Sequence, residues 1–193
     1  MFTPKAPSNS LNRPKKSPLI EDNKQVSFNT MVYLLNEYAA LGYNKKKTDV
    51  LERLGEDVGA RLYEGILFTS TNLSSRKDER KLKVVDAMNY VRYSLWPALF
   101  DKTASGIEIF TGGRKHKVTG AELKEYVVYD LDPVYNLRYA NNTNVARYLS
   151  GILKGFLTYA GFPCSVTLDV PQDKRVKYDF IISFEEAVLD AEA

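Results

Sequence analysis

Two runs of strict alternation near the C-terminus constrain this chain more than any other feature. Cys164, Val166, Leu168 and Val170 alternate with Ser165, Thr167 and Asp169. After Pro171-Gln172-Asp173-Lys174 the pattern resumes at Val176, Tyr178, Phe180, Ile182 and Phe184. A two-residue side-chain period belongs to a strand, and the Pro/Asp-containing break supplies turn chemistry. The spacing therefore predicts an antiparallel hairpin over 164–184 with one face on a core. A helix would scatter the same residues around its axis.

The rest of the chain supplies what that face packs on. Ser27 is positioned to cap a helix ending at Leu41, with Phe28, Met31, Leu34, Leu35, Tyr38 and Leu41 on its core face and Gly42 as its stop. Lys45-Lys46-Lys47 links it to a second helix, capped by Thr48 or Asp49, whose apolar face is Leu51, Leu54, Val58, Leu62 and Ile66. Gly55, Gly59 and Gly65 fall inside that helix, where each glycine costs about 1 kcal/mol relative to alanine. Because Gly55 and Gly59 are four apart and share a face, close approach by a neighbouring helix is the simplest reason for both. A loop over 70–76 precedes a third helix over 78–100, with Leu82, Val85, Met88, Tyr90, Val91, Leu95, Trp96 and Leu99 inward, and Pro97 is expected to kink it or begin a new turn. The stretch 101–125 reads as irregular with a short strand at 107–110. A strand over 125–130 follows, with 134–139 as its candidate partner. Asn141 to Asn144 cap a fourth helix with Val145, Leu149, Ile152, Phe156 and Tyr159 inward, ended by Gly161 and Pro163. The order is helix, helix, helix, strands, helix, hairpin: one mixed α/β domain.

Residues 1–25 differ in kind. They are rich in Pro, Ser, Asn and Lys, and Lys5, Arg13, Lys15, Lys16 and Lys24 against Glu21 and Asp22 give them the whole net charge of +3. With so few apolar groups the segment is expected to be a disordered basic tail, leaving 26–190 as the single folded domain. Residues 26–193 carry 22 positive and 22 negative residues, which argues against a nucleic-acid-binding domain that needs a strong positive field. The lone Cys164 has no partner for an internal disulfide, in keeping with a reducing compartment. No apolar run reaches the roughly 18 residues that span a bilayer, and no secretory h-region follows Met1. A soluble, cytoplasmic protein is expected.

Catalytic constellations do not assemble. His116, the one histidine, sits in Gly112-Gly113-Arg114-Lys115-His116-Lys117, which reads as a solvated turn; Cys164 sits at an inward strand position and reads as a buried structural thiol. One His and one Cys do not make a transition-metal site, and Asp130 with Asp132 is too thin for an oxygen-ligated one. No Gly-rich phosphate motif has the required spacing. Hence no catalytic residue, cofactor or metal is assigned. Basic clusters at 45–47, 76–83 and 114–117 lack interleaved aromatics for base stacking, so weak attraction to anionic membrane is their better functional reading. The 13 tyrosines suit half-buried, protein-facing surfaces. Candidate protein-interface residues are Gly55, Gly59, Ala60, Tyr63, Tyr93 and Trp96.

Four segments carry a family resemblance: Gly161-Phe162-Pro163-Cys164-Ser165-Val166-Thr167, Ile182-Ser183-Phe184-Glu185-Glu186-Ala187-Val188, Leu54-Gly55-Glu56-Asp57-Val58-Gly59-Ala60-Arg61 and Ser94-Leu95-Trp96-Pro97-Ala98-Leu99-Phe100. Taken in their order along the chain, they resemble subunit 5 of the transport protein particle (TRAPP) complex. The resemblance implies an α+β fold, helices packed on one side of a small twisted antiparallel sheet that the C-terminal β-hairpin completes. It also implies a non-catalytic subunit that assembles through helix faces with other TRAPP small subunits. The implied particle tethers vesicles between endoplasmic reticulum and Golgi and acts as a guanine-nucleotide exchange factor for a Rab GTPase, so this chain would lie peripherally at endoplasmic reticulum and cis-Golgi membranes. Some relatives in the wider superfamily carry an acylated cysteine and a lipid-sized channel. An apolar-ligand-binding module is therefore the alternative, although no cysteine precedes residue 164. The stretch 101–125 is longer and more basic than the family pattern.

Overall fold

The computed structural model describes residues 28–41, 50–73, 83–130, 143–169 and 179–191. In chain order the elements are α1 (Phe28–Leu41), α2 (Val50–Leu73), α3 (Val84–Tyr90), a π-helical turn (Val91–Leu95), α4 (Trp96–Phe100), β1 (Gly106–Lys115), β2 (Glu122–Tyr129), α5 (Thr143–Tyr159), β3 (Cys164–Asp169), β4 (Asp179–Phe184) and α6 (Glu186–Asp190). The expected caps at Ser27, Gly42, Thr48 and Asp49, and the strand at 134–139, lie outside the described residues.

The described strands form one antiparallel sheet in the order β1-β2-β4-β3. The hairpin closes in the register that its alternation requires, from Cys164 opposite Phe184 to Asp169 opposite Asp179. Tyr126 and Val128 of β2 then stand opposite Ile182 and Phe180. The rows Val166–Ile182–Tyr126 and Leu168–Phe180–Val128 thus share one face, and Phe180, Ile182 and Phe184 are fully buried. On the core side of the sheet lies α5, with α2 beyond it.

Several sequence expectations are corrected. The short strand expected at 107–110 is present, but the rest of 101–125 is more regular than expected: β1 pairs with β2 from Gly106 opposite Tyr129 to Thr111 opposite Lys124, and again at Lys115 opposite Glu122. A bulge at 112–114 takes up the extra length, so Gly112-Gly113 breaks the alternation without ending the strand. Accordingly β2 starts earlier than 125. On α3 it is Val84 and Ala87 that are buried while Val85 is exposed, and on α5 Tyr159 is exposed; periodicity gives a stripe, not its edges. Within α1, Leu35 is buried and Met31 packs on the core, but Leu34 and Tyr38 are exposed.

Pro97 does begin a new turn. It sits in the first turn of α4, and ahead of it the Trp96 N–H reaches back five residues to the Val91 carbonyl, the wider spacing of a π turn. Asp101, in the left-handed region at φ 56°, closes the helix by donating its N–H to the Pro97 carbonyl. α5 ends at Gly161, φ 93°, with Phe162 N–H on the Leu157 carbonyl (2.9 Å) and Gly161 N–H on that of Thr158 (3.0 Å). These paired bonds need a left-handed residue, which glycine adopts without penalty.

Candidate protein-interaction surface

The expected close approach at Gly55 and Gly59 is present, and its partner is α5. A Cβ on Gly55 would meet the Tyr148 carbonyl oxygen and lie 2.8 Å from the Ile152 nitrogen; one on Gly59 would meet the Ile152 oxygen and lie 2.8 Å from the Phe156 nitrogen. The arrangement is reciprocal. Gly151 and Gly155 of α5 bring their α-carbons against the Glu52 and Glu56 carbonyls of α2. Sequence reasoning missed this second pair, although Gly151 and Gly155 show the same spacing of four. Above the crossing, the Lys154 ammonium bridges Glu56 (2.7 Å) and Glu52 (3.2 Å), and the Glu56 bond leads in raising its pKa.

That geometry relocates most of the proposed interface residues. Gly55 and Gly59 face the chain's own α5 and are spent on internal packing. Trp96 is fully buried, its ring 6.0 Å from Phe180 and its indole N–H donating to Asp130 (3.3 Å). It is a core residue and not a contact for another protein. The buried Asp130 carboxylate also accepts from Ser105 (3.0 Å) and pairs with Lys102 (2.8 Å), tying the end of α4 to the end of β2. Tyr63 is half-buried with Phe156, Tyr159 and Tyr90 edge-on around it, and Ala60 is half-buried beside it in the chain. Only Tyr93 stands clear, 57% exposed with the Arg92 guanidinium over its ring.

The apolar surface that is exposed lies mainly elsewhere. Tyr33, Leu34 (63%) and Tyr38 (47%) cover the outward side of α1, with Leu34 and Tyr38 one turn apart. α1 is held to the body by Leu35, by Met31 and by a bond from the Asn144 amide to Asn36 (3.1 Å). Its apolar arc, wider than one helix contact needs, was the available signal that part of the arc would be left exposed.

Neither reactive side chain is arranged for catalysis. Burial pushes the Cys164 thiol up to about 12, outweighing the opposing pull of Lys154, and leaves it protonated. The His116 ring is not solvated as expected. Its Nδ1 accepts from the Val118 and Thr119 N–H groups (3.3 and 3.0 Å), and its Nε2 faces Asp190 of α6 at 3.3 Å. The ring therefore pins the β1–β2 turn to the C-terminal helix. The core is filled by Phe156, Phe180, Phe184, Met88, Leu95 and Trp96, all fully buried. Among the described residues no group of three or more His, Cys, Asp or Glu side chains is placed to hold a metal ion, and no helix is long and apolar enough to cross a membrane.

Comparison with known proteins gives one direction. Residues 9–185 match the family model described as Transport protein particle (TRAPP) component. The chain is 26% identical over 202 residues to trafficking protein particle complex subunit 5 of Dictyostelium discoideum, covering 98% of this chain and 99% of that protein. To the human subunit 5 it is 28% identical, covering 72% and 67%. To subunit 31 of Saccharomyces cerevisiae it is 30% identical, covering 68% of this chain and 44% of that longer protein. The fold is similar to that of a Naegleria fowleri complex subunit 3, solved with palmitic acid covalently bound, at a TM-score of 0.56 and 12% identity over 81% of this chain and 94% of that one.

Proposed function

The chain belongs to the transport protein particle (TRAPP) component family, and we propose that it is a structural, non-catalytic subunit through which neighbouring subunits are held. In that role it contributes to a particle that tethers vesicles between endoplasmic reticulum and Golgi and promotes nucleotide exchange on a Rab GTPase. Exchange belongs to the assembly. The observation that carries the reading is the exposed apolar side of α1, where Tyr33, Leu34 and Tyr38 stand out from a helix whose other side is already packed. Exposed apolar patches of this kind mark association sites.

The covalent acyl group named for the Naegleria protein does not transfer readily, because the one cysteine here is a buried, protonated thiol on an edge strand. The test is affinity recovery of the tagged full-length chain from cells. Co-recovery of other TRAPP subunits in fixed proportion is expected, with loss of Rab nucleotide exchange when the particle is prepared without this chain. Recovery of the chain alone, or exchange unaffected by its omission, would overturn the proposal.

A further inference from the structure

The His116 ring stands between two sets of partners that make opposite demands on it. On one side the backbone N–H groups of Val118 and Thr119 point at Nδ1 (3.3 and 3.0 Å). A backbone N–H only donates, so Nδ1 presents its lone pair and carries no proton. On the other side Nε2 faces α6: Asp190 Oδ1 at 3.3 Å, Asp190 Oδ2 at 3.4 Å and Glu186 Oε2 at 3.9 Å. Ionised carboxylates only accept, so the one ring proton of the neutral imidazole belongs on Nε2. The His116 side chain is 10% exposed, which ties it to these partners and not to water. Two main-chain bonds close the base of the turn, His116 N–H to the Ala121 carbonyl (2.8 Å) and Gly120 N–H to the His116 carbonyl (2.9 Å). Its head is held by the ring.

An imidazolium carries an N–H on both nitrogens. Protonation therefore sets an N–H against the two N–H groups of the turn, while it makes the contact with Asp190 and Glu186 an ion pair. One side of the ring loses what the other gains. The cations beside it in the chain do not alter this division: Lys115 and Lys117 are exposed, Lys115 stands opposite Glu122 on β2, and Arg114 is directed to Glu125 (3.7 Å). We infer that His116 is a pH-sensitive latch, whose protonation releases the β1–β2 turn and tightens the hold on α6. The exchange changes the surface that the turn presents, where Val118 is 87% exposed. It does not detach α6, whose Val188 and Leu189 also pack on the core.

The latch is independent of the assembly reading, and its failure leaves that reading untouched. His116 is the one histidine, so the full-length chain with isotope-labelled histidine gives a single pair of ring-nitrogen signals in NMR. Labelling the valine carbonyl and the threonine nitrogen selects the Val–Thr amides, Thr119 in the turn and Thr167 on β3. At about pH 8 the ring should show the Nε2–H tautomer. The ring should become protonated as pH is lowered to about 5, the range in which histidine side chains titrate. With the same midpoint, protection of the Thr119 amide against exchange with water should fall by about tenfold, the weight of one hydrogen bond. Protection is taken relative to an open chain at the same pH, and that of Thr167 should not follow the ring. His116→Asn keeps an acceptor for the turn and should leave Thr119 equally protected throughout. Glu186→Gln/Asp190→Asn removes the charge that favours the imidazolium and should move both midpoints down together. An Nδ1–H tautomer at about pH 8, or a ring still neutral at about pH 5, would overturn the inference. So would Thr119 protection that ignores the ring, that still varies with pH in His116→Asn, or midpoints unmoved in the carboxylate variant.

Discussion

Where two helices touch backbone to backbone, one added carbon has nothing soft to push against. At Gly55 an alanine methyl would meet the Tyr148 carbonyl, and at Gly151 that of Glu52, whereas at Gly65 nothing lies within 4 Å. Overpacking of this kind costs about 1–3 kcal/mol. Gly55→Ala and Gly151→Ala should therefore each destabilise the chain by that much in chemical denaturation. Gly65→Ala, in an open helix interior, should stabilise it by about 1 kcal/mol through propensity alone. Equal effects at the three positions would mean that the crossing is looser than the structure has it.

Cys164 gives a second residue-scale test, in pH. Its thiol has a folded pKa of about 12 against 9.0 when exposed, because burial disfavours the thiolate. A group raised on folding stabilises fully below the unfolded value, and that stability is lost as pH climbs through the window between the two. At pH 10 the unfolded thiol is mostly ionised and the folded one is not, a loss of about 1 kcal/mol relative to pH 8. Cys164→Ala should remove that part of the alkaline slope, so the difference between parent and variant in urea midpoints should narrow above pH 9. A parallel pair of curves would place the thiol in contact with water.

Among the elements, the central strand β4 is the most exacting. Phe180 has β-strand neighbours on both sides and the Trp96 ring above it, with no exposed surface. Phe180→Asp should destabilise by about 3–5 kcal/mol, since it leaves a cavity and an unpaired charge together. An equally stable variant would show that the buried face of the hairpin has been misassigned. This face was readable in the sequence because β3 and β4 keep a strict two-residue period, and α5 was readable because Val145, Leu149, Ile152 and Phe156 keep the helical one. β1 was readable only at 107–110, because Gly112 and Gly113 sit in a bulge that breaks the alternation beyond it. The candidate site was less legible still. Small and aromatic residues look the same in a sequence whether they meet another chain or their own. Gly55, Gly59 and Trp96 turned out to serve the latter, and the exposed Leu34 and Tyr38 were placed in the core by a periodicity that does not say how many partners a helix has.

For the molecule as a whole, the decisive asymmetry among the described residues is between α5, enclosed by α2 and the sheet, and α1, whose Leu34 and Tyr38 are exposed. Burying Leu34 and Tyr38 inside this chain would have made their substitution a stability problem. Their exposure makes it an association problem, and the two are separable. Leu34→Asp and Tyr38→Asp should shift the thermal midpoint of the isolated chain by no more than about 2–4 °C, as surface substitutions do. If α1 carries a partner, the same variants should lower co-recovery of other subunits by at least about tenfold, since truncating an anchor at the centre of an interface costs about 2 kcal/mol or more. Tyr93→Asp provides the comparison, being equally exposed but on a different element. Loss confined to the α1 variants assigns the interface to that helix. Loss confined to Tyr93→Asp moves it to the side of the π turn, and full recovery in all three would remove the apolar surface as the basis of assembly.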